Sequence, residues 1–160
     1  MKTAENEIRN HSSEVLSDGW SLLKKHTFEL KRRDGAWDGQ VREVYNRGHA
    51  AVILPYDPAR GIVLLVRQFR LPVFLQGHRE PLIEACAGLL DDNDPETCIL
   101  KEAEEELGYR LGAVRKIYDI YMSPGSVTER LSFFTAQYSP SDRVSDGGGD
   151  ASEGEDIEVL

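Results

Sequence analysis

An α/β domain with antiparallel strands at its N-terminal end is what this sequence predicts, on three observations. Apolar and polar residues alternate in the manner of strands through the first third of the chain. Two dense apolar runs follow, at residues 50–55 and 61–67. A single later segment, 94–108, carries helix start and stop residues around an apolar stripe of helical period. In order, residues 20–31, ending at the Arg33-Asp34-Gly35 turn, and residues 40–45 pair as a long hairpin or meander. Residues 50–55 and 61–67 are separated by the turn Tyr56-Asp57-Pro58-Ala59-Arg60 and read as buried strands. A strand over 82–87 leads into the helix. Residues 113–121 and 130–138 read as strands flanking the Ser123-Pro124-Gly125-Ser126 loop. Serine, aspartate and glycine dominate 139–154, which reads as a mobile lid. Residues 156–160 begin an alternating strand and stop, which reads as a truncation. No internal repeat is present.

Composition narrows the function. With 160 residues, 40% of them hydrophobic, the chain reads as one globular domain able to build a core. No apolar run has the length of a membrane span and the N-terminus MKTAENEIRN has no h-region, so the protein is expected to be soluble and cytoplasmic, with no membrane partner. Cys86 and Cys98 lack CxxC spacing and read as buried thiols. A net charge of -9 argues against a nucleic-acid polymer as partner but not against a small phosphate ligand. The acids fall in three runs, 91–96, 102–106 and 150–158, and an anionic substrate nearing them needs bridging cations. All-oxygen ligands suit Mg²⁺ or Mn²⁺. The basic clusters Lys24-Lys25-His26 and Lys31-Arg32-Arg33 read as a solvated strand and turn.

The helix carries the chemistry. Asp94 suits the N-cap, Pro95 the first helical position and Gly108 the stop. On a helical wheel Glu105, Glu102 and Glu106 fan over about 100°, beside an apolar arc of Ile99, Ala103, Leu107 and Leu100. Glu102 and Glu106 repel by roughly 0.2–0.5 kcal/mol, and Glu105 and Glu106 sit in the last turn, where the helix dipole disfavours anions. A divalent cation would reverse both penalties. On the residues alone, a solvated acidic face is the competing reading.

The segment GLLDDNDPETCILKEAEEELGY, residues 88–109, resembles the Nudix box, G-x5-E-x7-R-E-U-x-E-E-x-G-U. Matched backward from Tyr109, the pattern runs through Gly108, Glu106, Glu105, Ala103 and Glu102. Lys101 stands where the family has arginine, Gly88 falls one residue short of the full spacing, and Asp94 stands near the first glutamate. Lys101 can still pair with Glu105 at i, i+4, without the bidentate geometry of a guanidinium. The stretches REVYNRGHAAVIL, LLVRQFRLPV, IEACAGLLD, YMSPGSVTER and GGGDASEGEDIEVL resemble the GDP-mannose pyrophosphatase branch of that superfamily.

That resemblance implies an α/β/α sandwich with a mixed β-sheet over residues 48–160, preceded by an N-terminal antiparallel β-subdomain over 1–47. The N-terminal strands would exchange across a homodimer, and a family C-terminal helix would be missing. It implies metal-dependent hydrolysis of GDP-mannose to GMP and mannose 1-phosphate. Rival expectations are an ADP-ribose or ADP-sugar substrate, and a non-catalytic nucleotide-binding module or inactive truncated chain. Metal ligands implied are Glu102, Glu106, Glu155 and the Ala87 carbonyl, placed by Gly88, with Glu105 coordinating or standing behind the ligands. Glu155 is ligand or base; on spacing alone it is a solvated loop glutamate. Arg70 would contact phosphate, its alternative being a strand-end surface arginine, while Arg67 reads as structural. Trp20 stacks on guanine or packs in the core. Arg42 and Glu43 lie where family members reach the partner subunit's site, and Glu129 matches a ligand-contacting glutamate. Pro124, fifteen residues past Tyr109, resembles the nucleoside-diphosphate-sugar hydrolases; a Ser-Pro-Gly turn also needs no function to exist.

Overall fold

A computed structural model of the chain describes residues 7–160. The first six residues, part of the segment read above for a leader, lie outside the described residues. The described chain forms two compact units, residues 7–48 with 121–129, and residues 49–120 with 130–160.

The first unit is built on a three-stranded antiparallel sheet, β1 (Ile8–Asp18), β2 (Leu22–Lys31) and β3 (Trp37–Asn46), in the order β1-β2-β3. The β2–β3 meander is the one the alternation predicts. β1 is an addition, because IRNHSSEVLSD offers no strict apolar period and its pairing is broken by irregularities between Arg9 and Ser12 and between Val15 and Ser17. Charge pairing across the strands replaces apolar patterning: Arg9 Nε donates to Glu29 at 2.8 Å while its guanidinium lies 4.1 Å from the Trp37 ring centroid, and Lys25 pairs with Glu14. Of the basic clusters, Lys31-Arg32-Arg33 is exposed at the turn, whereas Lys24-Lys25-His26 is half-buried on β2 and not the fully solvated strand expected. Tyr45 exchanges backbone hydrogen bonds with Ser126 and Thr128, which ties the Ser-Pro-Gly loop to the end of β3.

In the second unit β4 (Ala50–Asp57) is the organising strand. Its residues 50–53 are buried, as a strand covered on both faces requires. Along the chain follow β5 (Ile62–Val63), β6 (Val66–Gln68), α1 (Leu71–Leu75), β7 (Leu82–Glu84), β8 (Cys86–Leu89), α2 (Pro95–Glu102), β9 (Arg115–Tyr121), β10 (Arg130–Gln137) and β11 (Glu158–Val159). β10 runs parallel to β4 along its length, with β9 beyond it; β8 and β5 pair antiparallel with the two ends of β4 on the other edge, so the sheet is mixed. A second, antiparallel sheet has the order β11-β6-β7. The core gathers Ile53, Val66, Cys86, Ile99, Leu107, Phe134 and Ile157. α2 packs on β4 and β8 through Ile99 and Cys98, while α1 spans only five residues.

One predicted strand needs correction. Residues 61–67 are two short strands belonging to different sheets: Gly61 turns at φ +68°, Ile62 and Val63 are exposed, and burial begins at Leu64. The chain changes sheets where Leu64 N–H donates to Pro55 and Leu65 N–H donates to Leu160. A run of apolar residues records burial somewhere but not which neighbour supplies it.

The helix start is as the sequence indicates. Asp94 Oδ1 accepts from the Glu96 and Thr97 N–H groups at 3.1 Å each, and Oδ2 accepts from Thr97 Oγ1 at 2.6 Å. The Thr97 hydroxyl and N–H hold the Asp94 carboxyl below its usual range. Its capping contribution is therefore present above the unfolded-state pKa and lost as pH falls through the lowered folded value. Asp94→Ala is expected to lower Tm by about 2–4 °C at pH 7, with the deficit shrinking in acid; thermal unfolding of both proteins at pH 7 and pH 3 checks it.

Candidate active site

Glu102 closes α2 and Glu106 lies in the turn after it, where the helix loosens. Residues Ala103–Leu107 form a π-helical turn that ends at Gly108, φ +78°, whose N–H bonds to the Ala103 carbonyl. The straight helix expected from the sequence is thereby interrupted within its acidic face. π turns recur at functional positions because the extra residue redirects side chains. Here Glu106 is 2% exposed, Glu102 is half-buried, and Glu105 stays outside, paired with Lys101 at 3.5 Å.

The two inward carboxylates rest on β8. Glu106 Oε2 accepts from the Ala87 N–H at 3.3 Å. Glu102 lies across Gly88, so that a Cβ at position 88 would stand 2.1 Å from its carboxyl carbon. The missing glycine side chain is what makes room for that carboxylate. Burial pushes Glu106 up to about 7, against hydrogen bonds from the Cys86 thiol and the Ala87 N–H that favour its charged form. Burial, and then the charges of Glu106, Glu105 and Glu155, push Glu102 to about 7 as well. Two desolvated carboxylates, each raised further by the Glu155 charge, form a site short of positive charge.

Residues 139–154, expected as a mobile lid, are a docked strap. Val144 and Ser145 N–H groups donate to Gly108, Gly148 N–H donates to Glu106 O at 2.9 Å, and Gly149 N–H donates to Glu105 O at 3.1 Å. Gly147, Gly148 and Gly149 all have positive φ, and a Cβ on Gly147 would come within 2.4 Å of the Glu106 carbonyl oxygen. The strap thus takes the carbonyls that the π turn leaves without partners. It also carries Glu155, whose Oε2 accepts from the Asp150 N–H at 2.9 Å and lies over Gly149. Glu155 is close enough to raise the pKa of both Glu102 and Glu106.

Arg70 follows β6, and its Nε donates to Glu84 Oε2 at 2.9 Å. Its charge also favours the ionised form of Glu106. Arg67 pairs with Glu158 at 2.9 Å across the β6–β11 ladder, in keeping with a structural role. Cys86 and Cys98 are buried and unpaired, the latter donating to the Leu89 carbonyl at 3.2 Å.

The second unit therefore brings together Arg70, Ala87, Gly88, Glu102, Glu106 and Glu155, with Glu105 at the rim. Trp20, Arg42, Glu43 and Glu129 belong to the first unit. Trp20 is 92% exposed in the turn between β1 and β2, which removes the core reading given as its alternative. Arg42 donates to the Val41 carbonyl and to Gln40, Glu43 is exposed on β3, and Glu129 is shielded beside Arg47 at 3.4 Å. Sequence reasoning missed Glu84, the Cys86 thiol against Glu106, and the strap; only the Gly147-Gly148-Gly149 run signalled the last.

Among the described residues no three His, Cys, Asp or Glu side chains converge into a ready metal cage. Glu102 and Glu106, the carboxylates that rest on β8 at Ala87 and Gly88, offer oxygen and carry excess negative charge. That donor chemistry fits a hard divalent cation and not zinc held by thiolates.

The unit is an α/β domain with a mixed sheet and an acidic helix packed on the strand that carries Gly88, and residues 46–159 match the NUDIX domain. The chain belongs to the Nudix family. Residues 7–45 match the GDP-mannose pyrophosphatase NudK N-terminal domain. The chain is 56% identical over 147 residues to a GDP-mannose pyrophosphatase of Pectobacterium atrosepticum, covering 91% of this chain and 75% of that protein. It is 52% identical to one of Salmonella arizonae, covering 91% and 76%. A crystal structure of an ADP compounds hydrolase shares the fold with a TM-score of 0.65 at 17% identity, covering 93% of this chain and 74% of that one. Nudix hydrolases generally require a divalent metal. No helix among the described residues is long and apolar enough to cross a membrane.

Proposed function

We propose that this Nudix protein hydrolyses the diphosphate bond of a nucleoside diphosphate sugar, with GDP-mannose giving GMP and mannose 1-phosphate as the first choice of substrate. The observation that carries it is the desolvated Glu102–Glu106 pair on the Ala87-Gly88 strand end. Relatives more than half identical and named GDP-mannose pyrophosphatase support the substrate over ADP-ribose. Glu102, Glu106 and the Ala87 carbonyl would hold Mg²⁺, with Glu155 brought up by the strap and Glu105 behind them. Bound there, a divalent cation polarises a phosphoryl oxygen, lowers the pKa of a water and relieves charge on the leaving phosphate. Arg70 takes phosphate oxygens with a guanidinium. Trp20 offers an exposed ring for the base, Arg42 and Glu43 reach the partner subunit's site, and Glu129 contacts ligand.

The same reading makes residues 1–47 the dimerising β-region of a cytoplasmic homodimer. The exposed apolar side chains Ile8, Val15, Leu16 and Val41 on its sheet support the dimer, and two buried unpaired thiols suit a reducing compartment. The test is side-by-side incubation with GDP-mannose and ADP-ribose, with and without Mg²⁺, resolving nucleotide products by chromatography. GMP formed only with metal, and faster than AMP from ADP-ribose, is the expected result. Preferential ADP-ribose turnover removes the substrate assignment, and binding without turnover at saturating Mg²⁺ removes the hydrolase.

A further inference from the structure

Arg70 is held by a residue that neither motif nor spacing points to. β6 and β7 pair antiparallel with Val66 opposite Glu84, and the chain leaves β6 at Gln68 before reaching Arg70. The Arg70 side chain nonetheless meets Glu84, the last residue of β7, which the ladder sets opposite Val66 and not beside Arg70. The contact uses Nε alone: Nε donates to Glu84 Oε2 at 2.9 Å, and Glu84 is the only hydrogen-bond partner of that guanidinium among the described residues. Glu84 is the more sheltered of the two, with 26% of its side chain exposed against 44% for Arg70. A guanidinium fixed at Nε has its plane and direction set while both terminal nitrogens stay open for two oxygens of one phosphate group.

We infer that Glu84 is a positioning residue for substrate binding: it clamps Arg70 at Nε so that the terminal nitrogens meet the diphosphate. The inference rests on the reading of Arg70 as a phosphate contact. Two chemical features favour clamping over a simple surface ion pair. Glu84 comes from the strand immediately before β8, which carries the Ala87-Gly88 end on which Glu102 and Glu106 rest, so it registers the cation to the carboxylate cluster. The contact also leaves both terminal nitrogens of Arg70 without a hydrogen-bond partner among the described residues, open to an incoming anion.

The test is a double-mutant cycle in the full chain. It measures kcat and KM for GDP-mannose with Mg²⁺, and calorimetric affinity for GDP as a readout that does not need turnover. Arg70→Ala and Glu84→Ala are each expected to raise KM and weaken GDP binding by about tenfold or more, with kcat falling less. Glu84→Gln, whose amide oxygen still accepts from Nε, is expected to restore most of that affinity. In the Arg70→Ala background, Glu84→Ala is expected to change kcat/KM and GDP affinity by less than about twofold, because it acts only through Arg70. Losses that multiply would make Glu84 an independent contributor and overturn the inference. So would a normal KM and GDP affinity in Glu84→Ala beside a defective Arg70→Ala, which leaves the reading of Arg70 standing. Normal values in Arg70→Ala remove that reading and the inference with it.

Discussion

Glu106→Gln is expected to lose hydrolysis by on the order of 10²–10³-fold while becoming more heat-stable than the parent in metal-free buffer above pH 7. The two effects have one cause. Glu106 is 2% exposed, and its carboxyl is pushed up to about 7 from an ordinary value of 4.5. An acid whose folded pKa is raised binds more protons folded than unfolded. Its penalty is therefore absent below the unfolded pKa, grows as pH rises from about 4.5, and is complete above about 7. At one pKa unit per ~1.4 kcal/mol the ceiling is ~3 kcal/mol. Glutamine keeps an oxygen for the Ala87 N–H and carries no charge, so it removes the penalty with little loss of packing. The stabilisation should vanish below pH 4.5, where both proteins are neutral at this position. Mg²⁺ should stabilise the parent more at pH 8 than at pH 5, since a cation must displace protons from Glu102 and Glu106 at the lower pH, and it should stabilise Glu106→Gln less. Thermal unfolding at pH 5 and 8 with EDTA or Mg²⁺, beside GMP release, checks both halves. Near-parental turnover in Glu106→Gln would end the metal assignment, and an unchanged metal-free Tm at pH 8 would end the account of the desolvated charge.

What the sequence made legible was local. Asp94 and Pro95 at the start of α2, Gly108 at its stop and the apolar run of β4 act within a few residues, and each sits where its chemistry requires. The Glu102–Glu106 spacing and Gly88 were legible for the same reason. What was hidden depends on partners far along the chain. The π turn is stabilised by N–H groups of Gly148 and Gly149, more than forty residues on, which no helical wheel over 94–108 contains. The run of three glycines reads as slack because glycine favours flexible chain, yet here each serves a positive φ in a fixed path against a helix end. β1 escaped notice because cross-strand charge pairs, which need the partner strand to be seen, stand in for an apolar face. Arg70 was visible as a cation, but its contact with Glu84 depends on the path of the chain after β6 and not on spacing in the sequence. Trp20 shows the limit of residue type alone, since an aromatic beside a strand is equally at home in a core, and only its place in the β1–β2 turn exposes it.

Gly147→Ala is the substitution expected to cost the fold most. Two penalties coincide there. At φ +69° an alanine pays about 1–2 kcal/mol for the left-handed backbone. Its Cβ would also stand 2.4 Å from the Glu106 carbonyl oxygen and 2.8 Å from the Leu107 carbonyl carbon, which are backbone atoms unable to rotate away. Relieving that overlap costs a further ~1–3 kcal/mol by moving the strap off the helix end. The sum, about 2–5 kcal/mol, is a large share of a total stability of about 5–15 kcal/mol and corresponds to a Tm lower by about 5–20 °C. Moving the strap also removes the Gly148 and Gly149 hydrogen bonds to Glu106 and Glu105 and shifts Glu155, so activity should fall even at temperatures where the variant is folded. Gly112→Ala is the matched control, because no atom lies within 4 Å of a Cβ there and its φ is not positive; a change within about 0.5 kcal/mol is expected for it. Comparing the two melting curves separates a docked strap from a slack one. If Gly147→Ala melts with Gly112→Ala and keeps its turnover, residues 139–154 are the loose lid that their composition suggests. A Tm deficit confined to Gly147→Ala instead makes the glycine run part of the scaffold that holds the acidic turn.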